Sequence, residues 1–120
     1  MNKIELEERL INFAVSIIDI TNSIPKTYAG VHLSKQLIRS GTSPALNYAE
    51  AQSGESRKDF IHKIKIVLKE LRETLVNLKI IKKAKIYEDQ KIELVLNESN
   101  ELISIFVKSV ETAQRNLNLK

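Results

Sequence analysis

Three features of the sequence predict an all-α chain folded as an antiparallel up-down-up-down four-helix bundle. Apolar residues recur at three- and four-residue steps along four long stretches. Only three glycines and two prolines occur in 120 residues, too few for the many tight turns of a β sandwich. The stretches are joined by connections of roughly two to six residues, which make sequential helices antiparallel neighbours. A chain of this length has room for one domain, residues 1–120. With 42% hydrophobic and 28% charged residues it can bury a core and is too apolar for a disordered chain.

The first helix is predicted from about residue 4 to 23, where Leu10, Phe13, Ala14, Ile17 and Thr21 keep helical spacing and Ile24 follows. Pro25 ends it, because proline lacks the N–H and its ring clashes with the preceding turn. The second starts after Thr27, whose hydroxyl suits an N-cap, and carries Leu33, Leu37, Ile38, Leu46 and Ala49 to about Gln52. Gly41 and Pro44 lie inside it and predict a kink or break there. Ser53-Gly54-Glu55 reads as a turn. Ser56-Arg57-Lys58-Asp59 then has the spacing of a capping box, with Asp in place of Glu or Gln, and opens a third helix that runs to about residue 84. The fourth is expected from about Asp89 to 117, with Ile92, Val95, Leu96, Leu102, Ile103, Phe106, Val110, Ala113 and Leu117 on its apolar side.

The absence of cysteine excludes a disulfide scaffold, a Cys-ligated zinc site and thiol catalysis, and is compatible with a reducing compartment. The charged segment Met1–Arg9 is no signal core, and no stretch nears the ~18 apolar residues of a spanning helix. A soluble, cytoplasmic protein without membrane contact is expected.

The net charge of +4 is unevenly placed. Residues 57–85 hold ten Lys/Arg against three acids, whereas the rest holds nine against twelve. A local excess of this kind points to an anionic partner more strongly than a uniform one. On the third helix, Phe60, Ile64, Val67, Leu71, Leu75 and Leu78 form the core face. On the other side Lys58, His62, Lys65, Lys69, Arg72, Val76, Lys79 and Lys83 follow alternating steps of four and three, so all but Val76 are cationic or imidazole. At 1.5 Å per residue the row is roughly 38 Å long, a little more than the ~34 Å of one DNA turn. Such a row suits a phosphate backbone, with affinity from counterion release and little base reading. The competing reading is a solvated lysine-rich face, with Glu70 and Glu73 close enough to neutralise part of it.

An enzyme is hard to assemble from these residues. A di-iron bundle needs two Glu-x-x-His motifs and two further inward carboxylates. The one relative is Asp59-Phe60-Ile61-His62, whose histidine falls on the basic face, and His32 has Ala29 three residues before it. No HExxH, P-loop or Rossmann glycine motif occurs, and neither histidine has a partner for a nucleophile relay. No metal, cofactor or catalytic residue is expected. In the second helix Arg39, Asn47 and Glu50 lie near apolar positions, where a polar group without a partner costs on the order of 1–3 kcal/mol. Thr42, Ser43 and Asn47 fit a local network repairing the backbone around Pro44. For Arg39, Asn47 and Glu50 an internal network and a subunit contact both remain open.

The run Gln36-Leu37-Ile38-Arg39-Ser40, Ser43, Asn47-Tyr48-Ala49-Glu50-Ala51, Ser56-Arg57-Lys58-Asp59-Phe60 and Ile66 to Thr74 resembles the family of proteins encoded in intervening sequences of bacterial 23S ribosomal RNA genes. Arg39, Ser43, Asn47, Glu50, Asp59 and Phe60 are the family-motif positions, structural or at an interface. Members more often have Ile-Ala-Glu-Gly at residues 48–51 and lack Pro44. The resemblance implies an antiparallel four-helix bundle that assembles into a homopentamer without known catalysis. It also implies similarity to the accessory proteins of diversity-generating retroelements, basic pentamers that bind nucleic acid and a reverse transcriptase. Assembly has separate support in the first helix, where apolar residues from Leu10 to Ile20 cover about 220°, wider than the ~100° stripe that a core needs. The expected function is non-enzymatic, low-specificity binding of RNA or DNA through Lys58, His62, Lys65, Lys69, Arg72, Lys79 and Lys83. The alternative is a protein-interaction scaffold without nucleic-acid affinity.

Overall fold

The computed structural model describes residues 1–54 and 56–119. Four helices make up the fold: α1 (Lys3–Asn22), α2 (Tyr28–Gln52), α3 (Arg57–Lys83) and α4 (Lys91–Asn118). No strand occurs among the described residues. Glu55, the last residue of the expected Ser53–Glu55 turn, lies outside them.

The caps explain the boundaries. Asn2 accepts from the Glu5 amide, Thr27 from the Gly30 amide at 3.1 Å and Ser56 from the Asp59 amide at 3.1 Å. Each satisfies one of the orphan donors of a first turn. The fourth helix starts two residues later than expected because Asp89 stays outside it and accepts from the Lys91 amide at 2.9 Å.

The second helix does not break. It is α-helical from Tyr28 through Pro44 to Gln52. The expectation of a break rested on local propensity, and packing overrides it. Gly41 and Pro44 are both buried, and a Cβ on Gly41 would lie 2.7 Å from Ile17 Cγ1. The glycine therefore lets α1 and α2 approach closely. The polar residues nearby bond locally: Thr42 Oγ1 donates to the Ile38 carbonyl, and Asn47 donates to the Ser43 carbonyl and hydroxyl. None of these bonds reaches the Ser40 carbonyl, the group that Pro44 deprives of its helical donor. The repair network is thus present in its members but serves neighbouring carbonyls.

The described chain is a rod of 52 × 21 × 21 Å. The α3 helix packs on both α2 and α4, α1 packs on α2, and contact between α1 and α4 is sparse. Arg9 ties the last pair through Glu98 at 2.7 Å and Glu101 at 3.2 Å. Phe13, Ile17, Leu37, Ile64, Leu71, Leu78, Leu102 and Phe106 are fully enclosed. On the expected core face of α3, Phe60 and Leu75 are only half-buried, while Ile61, Glu70, Thr74 and Ile81 join the buried set. Gripped from two sides, α3 buries a wider arc than one apolar stripe marks.

The wide apolar arc of α1 is only partly covered. Ile4, Ile11, Val15 and Ile18 remain exposed at steps of seven, four and three. That excludes a helix sunk on all sides within this chain. Among the described residues no helix is long and apolar enough to cross a membrane.

Candidate nucleic-acid interface

Ser56 fixes where α3 begins, and the helical phase then sets which side chains face out. Lys58, His62, Lys65, Lys69, Arg72, Val76, Lys79 and Lys83 are all exposed. Four cations off the row make ion pairs among the described residues: Arg9 with Glu98, Arg39 with Glu70 and Glu73, Lys63 with Glu50 at 2.6 Å, and Lys82 with Glu93. Others off the row, Lys3, Lys91 and Lys108 among them, are as free as the row itself. Among the described residues no cation of the α3 row makes an ion pair.

Glu70 and Glu73 do not neutralise the row as expected. Their helical phase turns them towards α2, where Arg39 Nη1 donates to Glu70 Oε2 at 3.1 Å and Nη2 donates to Glu73. The Glu73 hydrogen bond, helped by the charge of Glu70, holds the Arg39 guanidinium above its ordinary pKa. Glu70 is 8% exposed, and a buried carboxylate of this kind needs such a partner. Arg39 thereby engages both acids that adjoin Lys69 and Arg72 in sequence.

Within the chain the α2 polar residues make the following contacts. Arg39 and Glu50 both bridge to α3, while Asn47 and Ser43 bond to each other at 2.8 Å on α2. Asp59 gives its amide to the Ser56 cap and is exposed, and Phe60 packs half-buried against the core. The sequence reading missed a buried polar contact beside them. Thr74 Oγ1 lies 2.9 Å from Ser40 Oγ and 2.8 Å from the Glu70 carbonyl, with both side chains enclosed. The signal was there: Ser40 and Thr74 sit three residues beyond Leu37 and Leu71, in phase with the core.

Over the outer side of α3 lies a trough of about 950 Å³, lined by Lys65, Leu68, Lys69, Arg72, Glu73, Val76 and Asn77 of α3, by Gln36 and Arg39 of α2 and by Val110 of α4. No group of three His, Asp or Glu side chains suited to a metal occurs among the described residues.

Arg39→Gln gives a direct check on the ion-pair arrangement. Freed Glu73 lies four residues after Lys69, within reach on the helix surface, so nucleic-acid affinity is expected to fall by more than the loss of one distant charge causes. Adding Glu73→Gln is expected to restore it. Equal affinity of the Arg39→Gln single and the double variant, measured by fluorescence anisotropy, would contradict this.

An all-α, four-helix protein with an exposed cationic row along α3 is the class that fold and surface define. The chain belongs to the 23S rRNA-intervening sequence protein family, whose profile matches residues 2–108, as the motif resemblance implied. It is similar to a crystal structure of a protein of unknown function from the S23 ribosomal protein family of Bacteroides thetaiotaomicron VPI-5482. The two share 30% identity over 92% of this chain and 99% of the other, with a TM-score of 0.84. No curated protein matches the chain.

Proposed function

We propose that this protein is a non-enzymatic, cytoplasmic, oligomeric bundle that binds RNA or DNA with little sequence specificity through the exposed face of α3. The observation that carries the reading is the alignment of exposed cations: Lys58, Lys65, Lys69, Arg72, Lys79 and Lys83 lie along one line of α3, and none of them makes an ion pair among the described residues. Unpaired cations in a row attract phosphates by releasing the counterions condensed on a nucleic acid. His62 sits in the same row. Fluorescence anisotropy of labelled RNA and DNA at low salt tests this. Binding of both is expected, and binding of neither would transfer the function to the scaffold reading.

The topology we infer is up-down-up-down. Moving back ten residues on α2, from Glu50 to Ser40, moves the partner on α3 forward from Lys63 to Thr74, which supports opposite directions. Lys82 with Glu93, and Lys65 with Val110 across the trough, support the same for α3 and α4. A bend of α2 near Gly41 and Pro44 belongs to this reading, because Pro44 cannot donate to the Ser40 carbonyl.

The assembly we propose is a homo-oligomer, a pentamer by the family resemblance, with the exposed stripe Ile4, Ile11, Val15 and Ile18 of α1 turned to another subunit. A row of large aliphatic side chains on one helix face marks a protein contact. A reverse transcriptase is a further partner that the resemblance suggests. Light scattering coupled to size exclusion is expected to give about five times 13.7 kDa. A monomer at micromolar concentration would overturn the assembly.

A further inference from the structure

The cationic row on α3 is interrupted once, at Val76, which is 54% exposed between Arg72 and Lys79. Neither a phosphate track nor a solubility coat needs an aliphatic side chain there. Val76 is not isolated, for it lies in the trough with Leu68 and with Val110 of α4, while Lys65, Lys69 and Arg72 stand around the same space. The trough therefore brings together three aliphatic side chains and three cations that make no ion pair among the described residues, with Glu73, held by Arg39, also in its wall.

We infer that the trough seats unpaired nucleotides of a single strand, one base lying on Leu68, Val76 and Val110 while the flanking phosphates lie on Lys65, Lys69 and Arg72. The inference rests on the nucleic-acid reading and narrows it. A duplex offers a helix face its sugars and phosphates and keeps its base faces stacked inside, so an aliphatic ledge would gain nothing from it. A single strand can splay a base out and lay its apolar face on the protein. The charge fits this occupant, because Lys65, Lys69 and Arg72 share the trough with the aliphatic residues, as phosphates adjoin a base along a strand. The planar guanidinium of Arg72 adds a surface on which a base can stack.

The test uses the full chain and three fluorescent probes with equal phosphate counts: oligothymidylate, an abasic strand and a short duplex. Oligothymidylate is expected to bind about tenfold more tightly than the other two. Val76→Ser is expected to weaken oligothymidylate binding about three- to tenfold, towards the abasic strand, with the salt dependence unchanged because no charge is removed. Circular dichroism should show the helix content of the variant intact. If the abasic strand binds as tightly as oligothymidylate, or Val76→Ser changes nothing, α3 is a phosphate track alone; the inference falls and nucleic-acid binding stands. If no probe binds and an acidic amphipathic peptide does, both fall.

Discussion

Phe106→Ala should lower the stability of the fold by about 3–5 kcal/mol in urea denaturation, the largest effect expected from one core substitution. Phe106 is fully enclosed on α4 and meets the ring of Tyr48 on α2 edge-to-face, with centroids 5.6 Å apart and planes at 81°. The contact crosses the core between two helices whose backbones are not close neighbours. Truncation removes the buried ring, leaves a cavity, and ends an aromatic pair worth roughly 0.5–1.5 kcal/mol beyond its burial. A domain of this size has about 5–15 kcal/mol in all. Phe106→Leu should lose much less, since most of the volume stays. Lys69→Ala, on the exposed face of α3, should change stability by no more than about 0.5 kcal/mol. Equal losses for Phe106→Ala and Lys69→Ala would mean that the faces of these helices are wrongly assigned.

The second large effect concerns binding. Replacing Lys58, Lys65, Lys69 and Arg72 together by glutamine should abolish the proposed affinity for RNA and DNA at moderate salt while leaving the bundle and the proposed oligomer in place. Each of the four side chains is exposed and none makes an ion pair among the described residues, so their loss removes nothing that holds the helices together. Changing Lys3, Lys91 and Lys108, exposed but off the row, is the charge control and should have little effect. Circular dichroism and light scattering on both variants separate lost binding from lost folding.

Much of the fold could be read from local chemistry. Thr27 and Ser56 act within three residues of themselves, so the starts of α2 and α3 were visible in the sequence as Ser/Thr followed by a helical pattern. The cationic row was visible for the same reason, being a periodicity within one helix. What stayed hidden depends on other helices. Pro44 and Gly41 look like breakers until Ile17 is seen packed against Gly41. Glu70 and Glu73 look like neutralisers of their own helix until α2 brings Arg39, 31 and 34 residues away in sequence, against them. The trough combines Leu68 and Val76 with Val110 of another helix, and no spacing rule joins those positions.

The central claim is that the α3 row holds phosphates, and the salt dependence of binding tests it most directly. If Lys58, Lys65, Lys69 and Arg72 each neutralise one phosphate, log affinity should fall linearly with log salt at a slope of about −3 per subunit. Lys69→Gln should flatten that slope by a little under one unit. A slope near zero, or one flattened as much per charge by the Lys3, Lys91 and Lys108 changes as by Lys69→Gln, would contradict the claim.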